Sequence, residues 1–464
     1  MTSKQKKINH VLWRAGFGPS LAQEKEFSSS GQALDKLFSD AATVNALSQL
    51  PPEVRLPRDM PGASRTEMHA MLKETRKQAK EVGVSWLQLM FVDENVLAEK
   101  MAFFWHGALA CRPQIGYYAQ HYTNILRKNA LGKFGTLLRA VSKSPAMMMF
   151  LDTIKNHKGS PNENFSRELM ELFTLGKGNY TEKDIKETAR AFTGWNIVPP
   201  AEFTVRPNQH DANEKIIFGK HGDFSGDDVL DMILENKKTA RHVTEKVYQF
   251  FVNEDVNEDI VDALAEKFYK SDYDISLLMK EIFYSDWFYD DKNIGTKIKS
   301  PVELLAGITR QLNIQYETVA ALRAPQQIMG QELLSPPNVA GWPGGKDWID
   351  SSSLMYRLNL GNMFLAQSDY NIEPKREPEE MMSMDSKFRT KALKPVADWN
   401  SHFSFLRKGS NEEILNAARE FLIQPSTLSI SDDELLSFTR KDSQEDFIRT
   451  LTLRLLSTPE YQMC

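Results

Sequence analysis

Apolar residues recur at helical spacing along most of the chain. Phe165, Leu169, Leu172 and Phe173 form one stripe, and Ile260, Leu264 and Phe268 form another with Val261 and Ala265 alongside; this is the 3.6-residue period of an amphipathic helix. Helix breakers frame these runs: Pro145 after Val141, Gly176 after Leu175, Pro301 ahead of 302–312, and Pro336-Pro337 after Leu334. Helices of about 10 to 18 residues fit between them. The period breaks over 203–219, where FTVRP and KIIFG flank a polar loop at 208–214 that carries His210 and Asp211, the pattern of a short β-hairpin. The expected fold is mainly α, a multi-helix globular body with one small β-hairpin insertion.

Polarity rises between 371 and 394, where EPKREPEE occupies 373–380. That is linker composition. It predicts an exposed, poorly ordered joint between a main helical domain, 1–370, and a C-terminal helical unit, 395–464. The unit regains apolar periodicity at Ile414, Ala418 and Leu422 and at Phe447, Leu451 and Leu455, so it is expected to pack on the body.

Composition narrows the function classes. With 464 residues, 41% hydrophobic and 26% charged, the chain can bury a core without disulfides or metals as staples. A net charge of −5 gives no electrostatic pull toward nucleic acid. Two cysteines, Cys111 and Cys464, make neither a disulfide framework nor a four-thiolate zinc site. Asn9, His10 and Arg14 interrupt the stretch where a signal peptide needs apolar residues, which predicts a cytoplasmic chain. Apolar runs such as 101–110 are about half the ~20 residues a membrane span requires, so no span is expected.

Several groupings could carry chemistry. Glu163, Arg167 and Glu171 fall four apart on one helical line, with Glu168 between that line and the apolar stripe. The simplest account is an ion-pair ladder worth ~0.2 to 0.5 kcal/mol per pair; the alternative is a carboxylate near the helix start opened by Pro161-Asn162, serving as acid or metal ligand. His106 is the ionisable side chain of the apolar run 101–110, with Glu99 seven residues earlier; it is either a core histidine bonded to a carbonyl or to Glu99, or a general base. His210-Asp211 sits on a loop, where side chains often meet ligands, although an Asx-turn explains the pair equally well. No His-Glu-x-x-His or paired Glu-x-x-His is present, so a divalent metal has no local motif. Gly341-Trp-Pro-Gly-Gly345 lacks the Gly-Lys-Ser/Thr ending of a phosphate loop and reads as a turn. Trp195, Trp342 and Trp348 lie in Gly- or Pro-bearing segments and could line a groove that stacks on sugar. Arg14, followed by Gly16 and Gly18, ends the first helix.

Taken together, HVLWRAGFG at 10–18, EKMAFFWH at 99–106, NALGKF at 129–134, PNENFSRELMELFTLG at 161–176, YTEKD at 180–184 and ARAFTGW at 189–195 resemble one family. His210-Asp211, KSPVE at 299–303, PPNVAGWPGG at 336–345 and LSTPEYQ at 456–462 extend the likeness over nearly the whole chain. The chain is similar to the bacterial domain-of-unknown-function family numbered 1800. The resemblance implies kinship without a mechanism. It also implies work in the cell envelope, beside a secreted protein similar to the alkaline phosphatase and sulfatase superfamily, whereas this sequence departs from exported relatives by lacking a signal peptide.

Two readings follow. In the first the chain is an enzyme of hydrolase or lyase type acting on an envelope glycan or related polymer, with Glu163, Glu168, His210, Asp211 and His106 as acid–base candidates and Arg14, Arg167, Trp195, Trp342 and Trp348 holding substrate. In the second it is a non-catalytic helical partner that binds or matures the phosphatase-like protein. The enzyme reading expects Glu163, Glu168, His106 and His210 around one concave pocket.

Overall fold

Short polar caps start the helices where the sequence changes from loop to periodic run. Ser64, Thr181, Ser225, Ser300 and Ser410 each form a capping box with an acid three residues later, so side chains satisfy amides that the first turn leaves unpaired. In this computed structural model, which describes residues 3–54, 64–365, 394–407 and 409–464, the result is a mainly α protein whose β structure, among the described residues, is confined to small two-stranded sheets. The linker expected at 371–394 lies, apart from Lys394, outside the described residues.

Two helices run through the core. Every residue from Val96 to His106 of the helix Val96–Ala108 is buried, as is every residue of Pro301–Gln311. Helices buried on all faces need apolar residues all round, and both segments supply them, yet each brings a charged side chain to the other: Lys100 pairs with Glu303. Amphipathic helices cover this centre, among them Lys237–Phe251, Arg65–Leu89 and Gly116–Lys128.

The C-terminal stretch closes the core from another side. Asn9 donates to the Glu420 carbonyl at 3.0 Å, Gln311 to that of Phe421 at 3.0 Å, and Tyr461 Oη to Gln311 at 2.7 Å. The backbone of 297–299 pairs with 462–464, through Lys299 N–H to the Gln462 carbonyl and Cys464 N–H to that of Lys297, both at 2.8 Å. One hydrophobic cluster accordingly includes residues from Ile8 to Tyr461.

Two local expectations are corrected. The strands flanking 208–214 do not pair with each other: Glu202–Val205 pairs with Trp195–Val198, and Lys215–Ile217 with Lys220–Gly222. Phe218 and Gly219 both take positive φ, 50° and 75°, which closes a two-residue hairpin of its own, so His210 and Asp211 lie in the link between two hairpins. The helix beginning at Asn164 widens into π-type turns over Leu169–Thr174. That change of pitch takes Glu171 off the line of Glu163 and Arg167, and its carboxylate accepts from Tyr180 Oη at 2.7 Å.

Candidate active site

Glu303 owes its position to helix geometry. It is the acid of the Ser300 capping box, accepting from Ser300 N–H at 2.8 Å at the N-terminus of Pro301–Gln311, where the helix dipole favours negative charge. Burial opposes its ionisation, but Lys100, Lys297 and the Ser300 amide outweigh burial and hold the carboxyl well below the usual carboxylate range.

Cations surround this one carboxylate. Lys297 Nζ donates to the Phe250 carbonyl and lies 3.8 Å from the centroid of the Phe250 ring. Lys299 Nζ donates to the Tyr461 carbonyl at 2.6 Å, between the rings of Trp13 and Tyr461 at 3.8 and 3.9 Å. Burial pushes the Lys297 ammonium down to about 8 and Lys299 down to about 7, with Glu303 and Cys464 drawing both back up. Arg14 donates one bond, to the Asn293 carbonyl at 2.9 Å, and its buried Nε and Nη1 have no hydrogen-bond partner. Arg357 donates to the Lys299 carbonyl at 2.5 Å.

Lys297 and Glu303 both line a cavity of about 340 Å³. Phe103, Phe104, Phe250, Trp342 and Trp348 give it an aromatic lining. The segment 341–345, between a turn in which Gly341 N–H donates to the Asn338 carbonyl and the 3-10 helix Gly345–Trp348, forms part of its wall, and two of its glycines are required there. Gly341 has φ 85°, and a Cβ on it would stand 2.5 Å from the Gly107 carbonyl oxygen; Gly345 has φ 55°, and a Cβ would stand 2.4 Å from Glu254 Oε2. Glu254 lines the same cavity, as does Lys246, whose ammonium burial lowers to about 8.

The residues expected from sequence fall in three places. His106 is buried under this wall, its ring centroid 5.0 Å from that of Trp342, and its Nε2 accepts the Leu334 N–H at 3.0 Å. Its partner is thus a backbone amide, not a carbonyl or Glu99, because Glu99 is occupied by Trp86 Nε1 at 2.9 Å and Arg127 at 2.6 Å. Burial drops the His106 imidazolium to about 3. Trp342 and Trp348 line the cavity, and Arg14 stands close enough to Glu303 and Glu254 to feel both charges.

Glu163 and Glu168 belong to a second place. Glu163 pairs with Arg167 at 3.4 Å, and Arg167 pairs bidentately with Glu182 at 2.8 and 2.9 Å, which is the ladder account with Glu182 in place of Glu171. Glu168 is half-buried, and burial and the Glu171 charge raise its pKa. In the third place, His210 Nδ1 bonds the Thr193 carbonyl at 2.8 Å, and Asp211 accepts from Arg190 at 2.7 Å and from Asn213 N–H at 3.0 Å. The Arg190 bond brings Asp211 down to about 2. Trp195 packs edge-on against Phe192 and Phe203 nearby. None of Glu163, Glu168, His106 and His210 lines the cavity that holds Lys297 and Glu303.

Sequence reasoning did not single out Lys100, Lys297, Lys299 or Glu303. Usable signals existed: a lysine at the head of an apolar run, a Ser-Pro-x-Glu capping box, and two lysines spaced to share one face of an extended segment. Among the described residues no group of three or more His, Cys, Asp or Glu is arranged to hold a metal ion, and no helix is long and apolar enough to cross a membrane.

No curated protein and no solved structure matches this chain. A family model described as a protein of unknown function (DUF1800) matches residues 10–463, a span that contains both buried core helices, the cationic cluster and the cavity walls. The chain therefore belongs to the DUF1800 family.

Proposed function

We propose that this protein is a lyase acting on a glycan or related polymer, and that its chemistry takes place where Lys297 and Glu303 meet the aromatic cavity. The observation that carries this reading is that Lys297, an amine that burial lowers to about 8, and Glu303, a carboxylate held ionised, line the same cavity. Aromatic side chains suit the flat apolar face of a sugar ring. Arg14, whose buried Nε and Nη1 have no hydrogen-bond partner, adds positive charge near Glu303 and favours a ring that carries a carboxylate.

An ionised, paired Glu303 is a poor proton donor, which disfavours glycoside hydrolysis by a protonated carboxyl. Lys297 suits the opposite task. Its neutral amine removes the proton next to the ring carboxylate; the electron pair forms a carbon–carbon double bond as the bond to the leaving oxygen breaks, and the ammonium returns its proton to that oxygen. The step balances without an oxidant or a co-reactant. Work in the cell envelope, as the family resemblance implies, is part of the same proposal.

The test is to incubate the protein with neutral and uronic-acid oligosaccharides and follow both new reducing ends and the ultraviolet absorbance of unsaturated product. Unsaturated product that is lost in Lys297→Met, with folding retained, supports the reading. Activity that persists in Lys297→Met but disappears in Glu168→Gln or His210→Ala transfers the chemistry to those residues. Saturable binding without turnover favours the non-catalytic partner of a phosphatase-like protein.

A further inference from the structure

Gln331 lines the Lys297 cavity although only 4% of it is exposed. Its orientation is fixed. The side-chain Oε1 accepts the Val302 N–H at 2.9 Å; of the two ends of an amide only the oxygen can meet an N–H, so Nε2 has to point elsewhere. Among the described residues Nε2 has no hydrogen-bond partner, yet it is not sealed in protein as the orphaned Nε2 of Gln462 is. It opens on the cavity as an unused pair of N–H donors.

The backbone around it is equally constrained. Gln331 N–H donates to the Gln326 carbonyl at 2.8 Å, and the Gln326 side chain accepts the Leu333 N–H at 3.1 Å and donates to the Leu322 carbonyl at 3.0 Å. The segment that Gln331 grips also carries the proposed chemistry: Lys297, Ser300 and Glu303 line the same cavity, and Val302 lies between the last two. Meeting the Val302 amide, which the first turn of Pro301–Gln311 leaves unpaired, requires only an acceptor oxygen. The NH2 group is surplus to that role, and burying it unpaired costs free energy that a ligand oxygen in the cavity would remove. Lys246 lines the cavity too, but its ammonium already donates to the Leu172 carbonyl at 2.6 Å.

We infer that Gln331 Nε2 binds the carboxylate of the substrate ring and stabilises the negative charge that builds on it as Lys297 removes the neighbouring proton. The inference rests on the lyase reading for the ring and its reaction, and assigns the residue that tells an acidic ring from a neutral one. Proton removal leaves an electron pair on the carbon next to the carboxylate, so charge spreads onto the carboxylate oxygens before the carbon–oxygen bond breaks. A fixed donor at those oxygens acts more strongly on the transition state than on the bound substrate. An amide suits this place because it donates at every pH at which Lys297 is neutral.

The experiment measures by calorimetry the affinity of the full chain for tri-galacturonate and tri-mannuronate, and for the neutral trimers of galactose and mannose. The set is repeated in Gln331→Glu and Gln331→Met, with melting temperatures checked. Gln331→Glu keeps an oxygen for the Val302 N–H and turns the donor into an acceptor; Gln331→Met removes the donor without adding charge. The wild type is expected to bind at least one acid about tenfold more tightly than its neutral counterpart, and both variants to lose that preference while binding the neutral trimer as before. Where unsaturated product forms, kcat is expected to fall about 100-fold in Gln331→Met with KM changed far less, a split that a residue serving only to cap Val302 would not give; an unchanged kcat overturns the charge-stabilising role. A preference kept in either variant overturns the inference and leaves the lyase reading in place, and its loss in Lys246→Met instead moves the contact to that ammonium. A wild type that binds neither acid better than its neutral counterpart overturns the inference and the lyase reading together.

Discussion

The Leu334 N–H donates to His106 Nε2 at 3.0 Å, so this nitrogen carries no proton and the neutral ring must be protonated at Nδ1, a buried atom without a partner. Protonating Nε2 would break that bond, and burial already holds the imidazolium down to about 3.

The sign of the resulting pH dependence follows directly. Below the ordinary histidine value of 6.5 the unfolded chain takes up a proton that the folded chain refuses, so stability is lost as pH falls from there toward about 3. His402, lowered by burial to about 4, acts in the same direction. Thermal melts between pH 7 and pH 4 should show a falling melting temperature, with a shallower slope in His106→Gln. An identical slope in that variant would remove His106 from the account.

The Lys100–Glu303 pair is buried on both sides. Lys100→Met should destabilise by about 3 to 5 kcal/mol, because Glu303 loses its closest counter-charge. The double variant Lys100→Met/Glu303→Gln should recover part of that loss, since a neutral amide needs no cation. Urea unfolding of the two singles and the double measures the coupling directly, and additive effects would show that the two side chains do not depend on each other.

Gly341→Ala and Gly345→Ala should each cost ~1 to 3 kcal/mol, as expected where a Cβ meets both a positive φ and an occupied space. Gly341→Ala should be the worse of the two, because its Cβ meets backbone, whereas the Glu254 side chain facing Gly345 can swing away. Denaturant midpoints give the order, and equal or reversed costs would contradict it. Gly344, with open space at its Cβ, is the control.

Asp211 is held by Arg190 and by the Asn213 amide and side chain. Its low value, about 2 against 3.8, contributes stability that is present above the unfolded value and lost as pH falls through the folded one. Asp211→Asn should destabilise by about 1.5 to 3 kcal/mol, the range for hydrogen bonds to a charged group, and flatten the stability curve below pH 4. A neutral substitution would leave the link between the hairpins held by His210 and Thr193 alone.

Local rules were enough to read the helices and the cap after Arg14 from sequence, because these depend on apolar period, capping residues and glycine within a few positions of one another; the turn expected at 341–345 falls instead at 338–341, ahead of the 3-10 helix Gly345–Trp348. Gly18, with φ 98°, donates its N–H to the Leu12 carbonyl at 3.0 Å, as the end of the first helix requires. The pairing of the strands was not legible: the composition of 203–219 marks extended chain, but 202–205 pairs back on 195–198, and the Phe218-Gly219 backbone turns 215–217 onto 220–222. The π-type turns over Leu169–Thr174 likewise changed which carboxylate Arg167 meets. The candidate site was least legible of all. Lys100 and Glu303 are separated by 203 positions and Lys299 and Tyr461 by 162, and charge, burial and cavity shape arise only when the central helices and the C-terminal stretch come together. Sequence alone determined the helical class and the family; tertiary packing decided which ionisable groups lost their water, and with that which of them can do chemistry.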